Sequence, residues 1–282
     1  MTMLTNIAIE FIAVDGAKVA TRTFGSGRRI VLLHRFRGTL DDWDPALVSE
    51  LAARHQVFMF DSLGVGQTGG VTPASVEGMA DFAARVVELA GEGPVDALGW
   101  SLGGLVAQVL ALKYPRLVRT LILAGTMPPG GSSELVWSSD WLKRASAPVP
   151  TAENALGLLY AGSETSREAG VSAFARLPQP PAAYVSPTTM ATQAEAIRRF
   201  ADGEDNWYER LKDVAAPTLV ANGDRDGLFP AIDSAVLARE IPNSQLAIYP
   251  DSGHAFLFQY PERFAGDVSR FLEAATVPRH ES

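Results

Sequence analysis

A chain of 282 residues reaches the length at which one hydrophobic core stops growing, so the expected organisation is a single large domain carrying an inserted subdomain. Hydrophobic residues at 47% and charged residues at 20% are ordinary globular usage, and no uncharged apolar run reaches about 18 residues, which argues against a membrane span. The absence of cysteine excludes disulfides, thiolate ligands and a Cys nucleophile, and a net charge of −8 disfavours phosphate-backbone binding, so neither nucleic acid nor membrane is an expected partner.

The N-terminal stretch MTMLTNIAIEFIAVDG has no basic leader followed by a long apolar run, which points to the cytoplasm. Alternating segments, AIEFIAV and KVATRTF, flank the turn signals DG and GSG and lead into the continuous apolar run RRIVLLH. They predict two half-exposed strands followed by one buried strand. Further apolar runs recur at QVFMFD, VDALGW, RTLILAG, APTLVANGD and SQLAIYPD, separated by helix-like stretches such as SVEGMADFAARVVELAGE and LGGLVAQVLALKYP. This alternation predicts an α/β fold, a mostly parallel sheet with helices on both faces.

Between about Met127 and Asp213 the alternation stops, and several helical segments follow with no credible strand among them. The core is therefore expected in two parts, 1–126 and 214–282, with a helical cap at 127–213. Apolar stripes bearing Trp137, Trp141, Tyr160, Phe174 and Phe200 suit a lid over a ligand site. The tail ATVPRHES reads as a frayed end.

The stretch LGWSLGG sets Ser101 between Gly99 and Gly103 where an apolar strand runs directly into a helix. A serine on such a turn is held in a strained conformation with its hydroxyl projecting, and the neighbouring glycines remove Cβ atoms that would clash. The backbone N–H of Leu102, at the helix N-terminus, is placed to stabilise an oxyanion. A serine nucleophile needs a base, normally a histidine oriented by a carboxylate. Of the four histidines, His280 lies in the tail and His55 in a polar turn, both expected at the surface, and His34 ends a buried strand and reads as structural. His254, between the last strand and the last helix, is the candidate base. NGDRDGLFP offers Asp224 and Asp226 as its partner; Gly223, Asp226 and Pro230 match a GxxDxxxP spacing that favours Asp226, with Asp251 a distant third. The chain order is then Ser101, Asp226, His254.

These motifs, together with LLHRFRGTLDDWDP and FDSLGVGQTGG and all in this order, resemble the α/β-hydrolase superfamily over nearly the whole chain. In flavour the chain is similar to the capped esterase, lactonase, perhydrolase and carbon–carbon bond hydrolase branch. The resemblance implies an eight-stranded sheet, a cap after strand six, and no metal or other cofactor. It maps the second oxyanion donor onto Phe36, beside Leu102, in the loop His34-Arg35-Phe36-Arg37-Gly38. Arg35 departs from the pattern by standing where the family has glycine. Arg35 and Arg37 hold an anionic substrate group or, as the local acids Asp41, Asp42 and Asp44 favour, pair close by. Asp61, in the D-x-x-G-x-G-like loop, is expected to shape the sheet end. Trp100 packs behind the elbow or faces the pocket; Arg35, Trp100 and Trp137 are the candidate substrate contacts. The expected reaction is hydrolysis of an ester or lactone of a small, mainly apolar substrate, with carbon–carbon bond cleavage, perhydrolase or haloperoxidase-like activity, or ligand binding with little turnover as the alternatives. Homo-oligomerisation stays open.

Overall fold

The structure is a computed structural model that describes residues 7–91, 93–131, 151–178 and 185–275. Trp137 and Trp141 lie outside the described residues. The strands β1 (Glu10–Val14), β2 (Ala17–Phe24), β3 (Arg29–Leu33), β4 (Gln56–Phe60), β5 (Val95–Trp100), β6 (Val118–Ala124), β7 (Thr218–Gly223) and β8 (Ser244–Tyr249) form one sheet in the order β1-β2-β4-β3-β5-β6-β7-β8. β2 runs antiparallel to β1 and β4, and every other pairing is parallel. Asp15 and Gly16, both at positive φ, close the β1–β2 hairpin in two residues, the geometry that matches strand twist. The inner parallel strands β3 to β7 are buried on both faces, which is why they read as unbroken apolar runs, all six residues of β5 being buried, whereas the edge strand β8 is largely exposed.

Helices α1 (Pro45–Ala52), α2 (Val76–Leu89), α3 (Leu102–Lys113), α4 (Ala152–Leu159), α5 (Glu164–Arg176), α6 (Pro187–Ala201), α7 (Ala231–Glu240), α8 (Phe256–Gln259) and α9 (Pro261–Ala274) cover the sheet. Successive residues of β3 serve opposite layers. Val31 and Leu33 pack with α2 and α3, while Ile30 and Leu32 pack with α1, α8 and α9. The insertion between β6 and β7 contributes α4, α5 and α6, with no strand among its described residues. Thr151, Ser163 and Ser186 cap these helices by accepting backbone N–H groups, and Pro187 opens α6 where a missing N–H costs nothing. Leu156 and Ala173, from α4 and α5, join the core layer of α1, α8 and α9. Ile197 and Phe200 of α6 join the layer of α2 and α3, so the inserted helices reach both layers.

His55 departs from its expected surface position. It follows α1 into β4 and is 5% exposed, with Nε2 3.0 Å from Ser269 Oγ on α9, because the turn tucks under that helix. Near the start of β5, Asp96 is fully buried and takes hydrogen bonds from Arg28, Arg119 and Thr120 at 2.6–3.2 Å. Burial pushes its carboxyl up, but the hydrogen bonds from Arg119, Arg28 and Thr120 outweigh this and hold it below the usual carboxylate range. Asp96→Ala should cost about 2–4 kcal/mol in urea denaturation, the milder end for breaking a buried pair because both guanidiniums keep solvent contact. The stability from Asp96 should be present above the ordinary carboxylate pKa and vanish as pH falls through its depressed one.

Candidate active site

Ser101 stands between β5 and α3 with φ +60° and ψ −121°, a conformation that costs a non-glycine residue about 1–3 kcal/mol. The surroundings hold it there. Its N–H donates to the Ala124 carbonyl at 3.0 Å, and its own carbonyl accepts from Gly104 N at 2.8 Å and Thr126 Oγ1 at 3.0 Å. The glycines permit a close crossing of backbones. A Cβ on Gly99 would lie 2.2 Å from the Gly103 carbonyl oxygen, and one on Gly103 would lie 2.0 Å from that of Leu33. Helix α3 therefore passes against both β5 and the end of β3, and Leu102, its first residue, has an N–H with no acceptor within the helix.

Asp226 follows β7 in a tight turn in which Oδ1 accepts the N–H groups of Leu228 (2.8 Å) and Phe229 (3.0 Å). That leaves Oδ2 for His254 Nδ1, 2.8 Å away, in a pair that is almost wholly buried. With Nδ1 donating to the carboxylate, Nε2 is the nitrogen left to exchange protons. Asp224 instead accepts from Ser252 N, and Asp251 pairs with Arg225 and accepts from Ser163 Oγ, so Asp226 is the carboxylate that meets His254. Trp100, next to Ser101, donates its indole N–H to the His254 carbonyl at 3.1 Å, and its ring centroid lies 5.6 Å from the imidazole. The Ala255 N–H donates to the Leu159 carbonyl at the end of α4, pinning the same loop from the cap side.

Trp100 packs behind the elbow and also lines a small pocket with Arg35, Tyr160 and Phe174. It is fully buried, 4.8 Å edge-on from Phe258 and 5.7 Å from the His34 ring. Arg35 donates to the Phe36 carbonyl at 2.8 Å, pairs with Asp42 at 3.2 Å and lies over the Trp100 ring, which is the local pairing its neighbours favoured. Its standing in for glycine carries no backbone penalty, because Arg37 is the residue of this loop at positive φ, +60°. His34 Nδ1 accepts the Arg35 N–H at 2.7 Å; desolvation, then Arg35, pushes the imidazole well below its ordinary pKa, so it stays neutral. Phe36 is partly buried against Val65, Val185 and Met190, and the Arg37 N–H donates to Gln193 Oε1 of α6 at 2.9 Å. Beside Leu102 and Gly103 lies a cavity whose wall includes His34, Leu63, Met79, Phe82, Val106 and Gln193.

Sequence reasoning missed Gln193, Thr189 and Thr126. Thr189 donates to the Gly64 carbonyl at 3.0 Å and, with Gln193 one turn on, forms a polar pair on the buried face of α6 beside Met190, Ile197 and Phe200. Polar residues within an apolar helical stripe were the available signal.

Residues 28–261 match the family described as the alpha/beta hydrolase fold, and the chain belongs to it. It is 31% identical over 243 residues to RutD of Azorhizobium caulinodans, provisionally named a carbamate hydrolase, covering 85% of this chain and 89% of that protein. It is 29% identical over 267 residues to the pimeloyl-[acyl-carrier protein] methyl ester esterase of Edwardsiella ictaluri, covering 90% and 97%. An alpha/beta hydrolase fold protein from Chitinophaga pinensis superposes with a TM-score of 0.85 at 28% identity, covering 95% of this chain and 98% of that one.

Asp61 ties two loops at this end of the sheet, accepting from Leu40 N at 2.7 Å and Gln67 N at 2.9 Å. Burial pushes its carboxyl up to about 6, against these two N–H groups, from an ordinary 3.8. The native state thus binds this proton more tightly than the unfolded chain, so the group's stabilisation is complete below the ordinary value and is lost as pH rises through about 6. Between pH 7 and pH 4 the parent should gain on the order of 2 kcal/mol over Asp61→Asn, measured by urea denaturation of both proteins.

Proposed function

We propose that the chain is a serine hydrolase that cleaves an ester or lactone of a small, mainly apolar substrate through an acyl-enzyme. The observation that carries this reading is the buried His254–Asp226 hydrogen bond, on a loop whose His254 carbonyl accepts the indole N–H of Trp100, the residue before a serine in a strained strand-to-helix turn. Ser101 Oγ attacks the carbonyl carbon while His254 Nε2 takes its proton. Asp226 holds the imidazole tautomer and stabilises the imidazolium. The N–H groups of Leu102 and Phe36 stabilise the tetrahedral oxyanion; His254 then returns the proton to the leaving alcohol and activates the water that releases the acid. The leucine, methionine, phenylalanine and valine side chains around the cavity beside Leu102 support an apolar substrate body. The methyl ester esterase among the relatives supports ester chemistry.

The cap at 127–213 serves as the cover of this site, with α4 bracing the histidine loop and α6 the Phe36 loop. Arg35 and Trp100 support the loops that they touch, and both also line pockets here: Arg35 the cavity beside Leu102, and both residues a second one with Tyr160 and Phe174. The Trp100 indole and the Arg35 terminal nitrogens have protein partners.

A small fluorophosphonate followed by peptide mass analysis should give one adduct, on Ser101, absent in Ser101→Ala and His254→Ala. Asp226→Asn should fold normally and lose about 10⁴-fold in kcat on a chromogenic short-chain ester, since the amide holds the wrong tautomer. Unchanged ester turnover in Ser101→Ala would overturn the proposal.

A further inference from the structure

We infer that Gln193, on the cap helix α6, is a positioning residue for the oxyanion donor Phe36, so that the cap completes the oxyanion hole as well as covering it. The inference rests on the serine-hydrolase reading above and goes beyond it in assigning a role to a residue of the insertion.

Residues 35–38 form a tight turn closed by the Gly38 N–H donating to the Arg35 carbonyl at 3.0 Å. Because a peptide is planar and trans, holding the Arg35 carbonyl also sets the direction of the Phe36 N–H on the same peptide. Arg37, third in the turn, has φ +60°, the left-handed value that a type II turn requires and that usually selects glycine or asparagine. In that turn the central peptide, Phe36–Arg37, is flipped relative to the commoner type I. An arginine is a poor choice for it, so something else must select the flip.

Both ends of that peptide are clamped. Its carbonyl, Phe36 O, accepts from Arg35 Nη1 at 2.8 Å, and its N–H, on Arg37, donates to Gln193 Oε1 at 2.9 Å. The first clamp is local to the loop. The second comes from a residue 156 positions away, itself 3% exposed and fixed within the buried face of α6. The same helix makes further contacts to neighbouring loops, among them Thr189 Oγ1 to the Gly64 carbonyl and Met190 against Val65 and Phe36. Removing the Gln193 acceptor lets the central peptide relax towards the type I orientation. The flip itself leaves the Arg35–Phe36 peptide in place, but the turn has then lost its tether to α6 and shifts as a body, carrying the Phe36 N–H away from the developing oxyanion. Oxyanion stabilisation depends on donor placement at the transition state, so the loss falls on kcat and leaves substrate binding largely intact.

The test compares the parent with Gln193→Leu, which removes the acceptor at similar volume, Gln193→Asn, which withdraws it by one methylene, and Gln193→Glu, which keeps an acceptor in place. Turnover of a chromogenic short-chain ester and inhibition by an alkyl boronic acid, which forms a tetrahedral adduct with an activated serine, are measured on each. Gln193→Leu and Gln193→Asn should lose about 10- to 100-fold in kcat with KM within about twofold, and bind the boronic acid more weakly by the same factor; Gln193→Glu should recover most of both. Parental kcat and boronate affinity in folded Gln193→Leu or Gln193→Asn, or a loss confined to KM, would overturn the inference. Ser101→Ala runs beside them: if it retains turnover, the serine reading itself fails, whereas if it is dead and the Gln193 variants are normal, only the positioning role fails.

Discussion

The crossing of α3 over β5 and the end of β3 is the constraint on which the rest of this end of the molecule depends. Backbone passes backbone so closely that no side chain fits at Gly99 or Gly103. The crossing makes the chain reverse within one residue, and Ser101 takes the strained conformation that results. Ser101 is fixed by its neighbours' backbone groups, with Ala124 and Gly104 on either side of it. A serine in this turn has its hydroxyl projecting and a helix N-terminus beside it, which is a polar, electropositive place to develop negative charge.

The other candidate groups lie on loops, and each loop is held by hydrogen bonds to main-chain groups, some within its own turn and some from elsewhere in the fold. Two N–H groups occupy one oxygen of Asp226 and leave the other for His254. The Trp100 indole and the Ala255–Leu159 hydrogen bond fix the histidine loop from the sheet and from the cap. Asp61 does the same for the loops starting at Leu40 and Gln67. A loop anchored in this way loses little entropy when it meets a transition state, which is the physical content of a preorganised site.

The α/β class was legible in the sequence because inner parallel strands buried on both faces leave continuous apolar runs; the eight-strand count came from the family resemblance. The elbow was legible for a related reason: glycines at a strand-to-helix junction are local. So was the contact of Asp226, not Asp224, with His254, since the turn chemistry lies within a few residues of the strand end. His55 was misplaced because its burial depends on α9, over 200 residues later. Gln193 stood out only as a polar residue in the apolar stripe of α6, because its partner is a backbone N–H that carries no sequence identity. The placement of Trp100 turned on an acceptor, the His254 carbonyl, that any residue would supply.

The most direct test of the account is the rate at which a fluorophosphonate phosphonylates Ser101 in Gly103→Ala, with loss of fluoride, measured beside its thermal unfolding. The added methyl meets the Leu33 carbonyl at 2.0 Å, so the helix must move off β3. The account predicts either loss of cooperative folding or a folded protein whose Ser101 reacts at least about 100-fold more slowly, the scale of a roughly 1 Å misplacement. A cooperatively folded Gly103→Ala that reacts at the parental rate would contradict it.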